Sequence, residues 1–204
     1  MENEDEDPGL SPLAGTVNGK IPRAAAKSEY GELYVIPDTT EKIDLLGAPS
    51  CMGRENDYRF EGAYRAYFQT SDGTATSLSA TPIPVLIYPS LEQISISKLQ
   101  FGTFEAFYFI PEYADCHGLT FYLYGANEEG AFPFRFELEN GAASDTFYVL
   151  PSDKPRMEDG MLVTYGGGGA GTDGYLKYTF KPDLANKTMI LLRKEQIAQK
   201  PALE

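Results

Sequence analysis

"YGGGGAGTDGYLKYTF", Tyr165 to Phe180, is the stretch on which the fold turns. If its glycines wrapped a phosphate, a helix would follow and the chain would belong to the α/β class. A phosphate loop brings backbone N–H groups to the anion, aims a helix N-terminus at it, and usually adds a Lys before a Ser or Thr. Here Gly166 to Gly169 are followed by Ala170, Gly171, Thr172, Asp173 and Gly174, and no lysine comes before Lys177. Lys177 itself sits in an alternating run, with Leu176, Tyr178 and Phe180 on one face, which is the period of a strand. The dinucleotide fingerprint fails for the same reason. The run reads as a flexible hairpin loop, and its flanks, Tyr165 and Tyr175, read as the rim of a binding surface.

Outward from this hairpin the same period recurs. In "FPFRFELE" (132–139), Phe132, Phe134, Phe136 and Leu138 face one way, and Pro133, Arg135, Glu137 and Glu139 the other. "ELYVIP" (32–37), "KIDLL" (42–46) and "YRFEGAYRAYFQ" (58–69) read as strands, with Gly62 marking a bulge or bend in the last. "QISISKLQF" (93–101), "TFEAFYFIP" (103–111), "LTFYLYG" (119–125), "DTFYVLP" (145–151), "GMLVTYG" (160–166) and "KTMILLRK" (187–194) extend the series. Helix signals are thin: "PRAAAKSEY" (22–30) is long enough for two turns and "KEQIAQK" (194–200) for one. Neither carries a wide apolar stripe.

Asp72-Gly73 is the punctuation of a hairpin, and turn signals recur about every 8 to 14 residues, as in a sandwich or barrel. Pro82, Pro84 and Pro89 cannot donate to a ladder, so "PVLIYP" is an edge strand or an exit from a sheet. The expected fold is all-β and antiparallel β-sandwich-like, immunoglobulin/fibronectin-like or jelly-roll-like. Two small β domains are expected, an N-terminal one over residues 13–90 and a C-terminal sandwich over 91–200, with a single larger sandwich as the competitor. "AYRAYFQTSDGTATSLSATPIPVLI" (63–87) resembles the last hairpin of fibronectin-type sandwiches, a texture shared by many β domains.

The chain has 204 residues, enough to bury a real core, with 42% hydrophobic and 23% charged residues. It holds 14 Tyr and 12 Phe but no Trp, a composition that suits pleated, half-buried surfaces. Its formal charge is −13, and Glu2, Glu4, Asp5, Glu6 and Asp7 concentrate part of that at the start. A body of this sign repels phosphate backbones, so nucleic acid is not an expected partner. No apolar run approaches the roughly 18 residues of a membrane helix. Residues 1–12 read as a disordered acidic tail. That run resembles the stalk behind the lipidated cysteine of exported lipoproteins, which implies an extracytoplasmic location, periplasm or cell surface, and a lipid anchor lost upstream. Leu203-Glu204 matches the residue pair left by a common cloning site, so residues 201–204 read as a tail with a cloning scar. A cytoplasmic protein with a native Met1 is the alternative.

Cys51 and Cys116 bridge in an oxidising compartment or sit as small buried residues in a reducing one. His117 is the single histidine, so any hydrolytic triad would need it. It adjoins Cys116, and neighbours on an extended chain point apart; no Gly-x-Ser-x-Gly elbow offers a partner. Two cysteines 65 positions apart and one histidine do not make a zinc cluster. The acids of "PEYADCHG", "PSDKPRMEDG" and "AGTDG" match no calcium loop and read as solvated turn acids. No catalytic residue, metal ligand or cofactor is assigned. On several strands both faces carry aromatics, Phe107 and Phe109 against Phe104 and Tyr108, which places them between two layers or against a partner. The expected function is a non-catalytic exported binding or adhesion module recognising a glycan or protein through an aromatic surface, with Tyr165, Tyr175 and Tyr124 as ligand-binding candidates. The alternative is a carbohydrate-active enzyme, or its accessory domain, using loop carboxylates.

Overall fold

The computed structural model describes residues 19–79, 81–167 and 174–198. The acidic start, the middle of the glycine run and the final tail lie outside the described residues. Within them the protein is all-β and sandwich-like, with one short 3-10 turn at Glu139–Gly141.

The first sheet has seven strands: β1 (Ala24–Lys27), β2 (Glu32–Pro37), β3 (Lys42–Leu45), β4 (Tyr58–Gln69), β5 (Ala75–Ser77), β6 (Ile83–Tyr88) and β7 (Ile94–Ser95). The chain leaves it at Ile96 and enters a second sheet through β8 (Ser97–Phe101), β9 (Phe104–Phe109), β10 (Leu119–Asn127) and β11 (Gly130–Pro133). It then crosses to a third sheet in β12 (Arg135–Glu137) and β13 (Ala143–Ser144), and returns to the second in β14 (Thr146–Val149). β15 (Arg156–Glu158), β16 (Met161–Gly167), β17 (Tyr175–Asp183) and β18 (Thr188–Ile197) complete the third sheet. Pairing is antiparallel except for β1 with β7 and β12 with β18.

The glycine run does join two antiparallel strands: Gly167 of β16 lies opposite Tyr175 of β17, and the register continues to Leu162 opposite Phe180. The two-sided strands are the middle of a three-layer stack. Phe107, Phe109, Tyr124 and Ala126 join a core with Val35, Phe60, Phe68 and Leu86 of the first sheet. Phe104, Tyr108, Phe121 and Leu123 join a second core with Phe136, Leu162, Phe180 and Met189 of the third. All six residues of β9 are buried. Each such ring removed from water contributes roughly 1.5–3 kcal/mol, so the aromatic load of the sequence serves mainly to hold the layers together. Gly125 lets the rings close over β10: a Cβ there would stand 2.6 Å from Phe132 and 2.9 Å from Phe134.

The cleanest alternating run of the sequence is divided. Phe132 pairs with β10 and Phe136 with β18, yet Phe132, Phe134 and Phe136 all face the same core. "QISISKLQF" is divided likewise, with Ile94 and Ile96 in the first core and Phe101 in the second. Periodicity reports which way side chains face, and it is blind to a change of partner strand. The two helical turns admitted by the sequence are strands instead. Ala24 and Ala26 are buried in the first core, and their strand is paired on both sides, by β2 along its length and by β7 at Ala24 and Ala25. Lys194 to Ile197 continue β18 against β17. Helix propensity is worth only a few tenths of a kcal/mol per residue, less than pairing and burial together supply. Gly62 sits at a register irregularity between Glu61 and Tyr64, as the bulge reading expects.

Candidate functional site

β6 is paired with β4 along one side and is unfinished on the other. Against β4 its register runs Arg59 opposite Ile87, Phe60 opposite Leu86 and Glu61 opposite Val85. The Ile87 N–H instead donates to the Pro111 carbonyl at 3.0 Å, and the Ile87 carbonyl accepts from the Tyr113 N–H at 3.3 Å. Ile87 therefore turns its backbone groups away from β4, and in an antiparallel ladder Val85, two residues earlier, does the same. The short parallel bridge between Ile87 and Glu112 would need an N–H from residue 111 to reach the Val85 carbonyl. Residue 111 is proline and has none to give. The bridge stops after one residue, and the Val85 edge stays open.

The segment that makes this bridge is anchored to the first sheet. Cys116 is bonded to Cys51, whose loop follows β3. The Tyr113 hydroxyl donates to Asp57 Oδ2 at 2.5 Å, and the same oxygen accepts from the Arg54 N–H at 2.6 Å. The Tyr88 hydroxyl donates to the Ile110 carbonyl. At its far end Asp115 Oδ1 accepts from the N–H groups of His117, at 2.6 Å, and Gly118, at 3.1 Å, and so turns the chain into β10.

Between the Val85 edge, this anchored segment and the start of β10 lies a depression of about 230 Å³. Val85, Pro111, Glu112, Asp115, Thr120 and Tyr122 are among its lining residues. Its two acids are shifted in opposite directions. Burial, with the Asp115 charge adding to it, pushes the Glu112 carboxyl above the usual range. The His117 and Gly118 N–H groups hold Asp115 below it.

Tyr122 also lines a second, broader cleft of about 620 Å³, so its ring is a wall common to two neighbouring depressions, together called the groove. Ser79, Thr81, Ser144 and Thr146 are among its lining residues, and Arg135 Nε meets Asp145 Oδ1 at 3.2 Å on its rim. Tyr122 is half-buried, and burial together with Asp145 raises its phenol above the usual value.

The three tyrosines expected on a binding surface do not come together. Tyr124 lines the broad cleft but is only 2% exposed, its hydroxyl 3.4 Å from Ser79 Oγ. Tyr165 is fully buried, with the Arg156 guanidinium 4.6 Å above its ring. Tyr175 alone is open, at 37%. Tyr165 and Tyr175 share the face of the third sheet opposite the Phe180 core, whereas Tyr124 faces the first sheet. Sequence marks a tyrosine as amphipathic without saying which layer lies over it. The groove residues Val85, Glu112, Tyr122 and the Arg135–Asp145 pair were not singled out. Their one usable signal was the proline spacing around β6 and at Pro111.

The Cys51–Cys116 bridge, one of two readings of the pair, is formed, with Cα atoms 5.0 Å apart, and both residues are exposed. The His117 side chain is 94% exposed, with Nδ1 3.8 Å from Asp115 Oδ1. Among the described residues no three His, Cys, Asp or Glu side chains gather as a metal site, and no helix is long and apolar enough to cross a membrane. No protein-family model, curated protein or solved structure matches this chain.

Proposed function

We propose that this chain is a non-catalytic binding module of an oxidising, extracytoplasmic compartment, and that it engages a partner protein along the groove past Tyr122. The observation that carries the reading is the groove itself, two depressions that share Tyr122 as a wall, one beside a strand edge and two carboxylates, the other beside an exposed Arg135–Asp145 pair. Such a mixture of aromatic and polar groups suits reversible recognition. A sugar needs an open ring to stack on, whereas Tyr124 and Phe134 are 2% and 1% exposed and Tyr122 is half-buried. A polypeptide can use the strand edge as well, which favours protein over glycan. The exposed Cys51–Cys116 bridge supports the compartment, since reducing cytosol does not sustain such bonds. The test is selection of a random peptide display library, beside a glycan array, on the immobilised chain and on Tyr122→Ala. Peptide enrichment that disappears in Tyr122→Ala supports the reading; glycan binding without peptide enrichment contradicts it. Fractionation of source cells tests the compartment, and recovery from the cytosol contradicts it.

One observation favours a second reading, a carbohydrate-active enzyme. Glu112 and Asp115 share a depression, and their surroundings push their proton affinities apart, as an acid and base pair requires. Against it, Asp115 Oδ1 is already engaged by two backbone donors. Release of reducing ends from a polysaccharide panel, abolished in Glu112→Gln, would establish this reading over the first.

A further inference from the structure

We infer that the open edge of β6 at Val85 docks a short extended polypeptide segment bearing a lysine or arginine, whose cation enters the depression lined by Glu112 and Asp115. The inference rests on the binding-module reading and names the partner's chemistry. The first ground is the backbone. Val85 presents an N–H and a carbonyl away from β4, and an unpaired edge of this kind is a template for another strand. The protein already uses the next position in this way, since the chain at Pro111–Tyr113 pairs with Ile87 as a one-residue strand. A docked segment would continue that pairing where Pro111 ends it. Main-chain hydrogen bonds then give affinity, and alternate side chains give specificity.

The second ground is charge. Side chains on a docked strand alternate, so one of them is directed into the depression beside Val85. Glu112 and Asp115 line that space, with Pro111 and Tyr122 offering apolar surface for a long aliphatic stem. A Lys or Arg fits both parts, its stem on the apolar walls and its head on the carboxylates. A second copy of this chain is a poorer occupant, because it carries the same formal −13 charge.

The test uses the whole chain, isotope-labelled, titrated with a capped peptide of alternating Val and Lys, and separately with its Val and Glu counterpart. Amide shifts and exchange rates are followed by NMR. The Val-Lys peptide should shift the Val85 amide, slow its exchange, and bind about tenfold more tightly than the Val-Glu peptide. Glu112→Lys should reverse that preference, and the milder Glu112→Gln should weaken Val-Lys binding alone. Equal affinity for both peptides, or binding that leaves Val85 exchange unchanged, overturns the inference. Shifts confined to the cleft around Arg135 and Asp145 overturn docking at Val85 while preserving the groove as a binding surface. No shift at all also overturns docking here; the broader reading falls separately, if library selection is the same on Tyr122→Ala.

Discussion

Cys51 and Cys116, 65 positions apart in the chain, are covalently joined and tie the loop after β3 to the segment between β9 and β10. The bond links the first sheet to the connection that delivers Glu112 and Asp115 to the groove. Closing a loop of that length removes conformational freedom from the unfolded chain, worth about 4 kcal/mol on the chain-entropy model.

The double variant Cys51→Ser, Cys116→Ser is accordingly expected to lose up to about 4 kcal/mol in denaturant unfolding. Thiol titration of the native protein should find no free cysteine. Loss of the bridge should also speed amide exchange at Tyr113 and His117 more than in β9.

A different constraint acts at Gly166, over which the Tyr148 ring lies. A Cβ there would stand 2.7 Å from Tyr148 Cε2 and 3.0 Å from Tyr178 Cε2. Tyr178 is 5% exposed and has no room to withdraw, whereas Tyr148 is 36% exposed and can swing out, losing its hydroxyl contact with Tyr178 at 2.5 Å. Gly166→Ala should cost about 1–3 kcal/mol. In the Tyr148→Ala background the penalty should shrink, which a double-mutant cycle measures.

Gly166 also shows where sequence reading reaches its limit. The absence of a lysine and helix after the glycines pointed to a hairpin rather than a phosphate cradle, and the flanking strands β16 and β17 are indeed paired. The need for glycine at that one position came from Tyr148, eighteen positions earlier and in another sheet, and no local signal carries it. The same holds for the tyrosines. Alternation along "LTFYLYG" (119–125) separates Phe121 and Leu123 from Tyr122 and Tyr124, but only the third dimension shows that both faces are covered. The edge character of β6 was legible because proline lacks an N–H. That Pro111 ends a bridge beside it was not, since the two segments meet only in the fold.

The middle sheet, covered on both sides, sets a further expectation. Phe107 and Phe121 are fully buried on its opposite faces. Phe107→Ala and Phe121→Ala should each cost about 3–5 kcal/mol in equilibrium unfolding. A small loss for either would mean that one layer is not seated on it.

The two groove acids should act oppositely on stability as pH changes. Glu112 has a raised proton affinity when folded, from burial and then from Asp115, so its contribution favours folding in acid and fades as pH rises through the folded value. Glu112→Gln is therefore expected to be neutral or slightly stabilising at pH 7. Asp115 is lowered by the His117 and Gly118 N–H groups, so its contribution is present above the usual carboxylate range and is lost as pH falls. Asp115→Asn should destabilise at neutral pH and progressively less in acid. Thermal unfolding between pH 3 and 8 reads both signs.

Docking at this edge requires Val85 to offer its backbone to a partner while Leu86, the next residue, gives its own to β4. Native-state hydrogen exchange of these two amides tests this directly. Leu86 should be protected to the level of the core strands, and Val85 should exchange orders of magnitude faster in the free protein. Equal, strong protection of both amides would mean that the edge is already closed, and would contradict the proposed docking site.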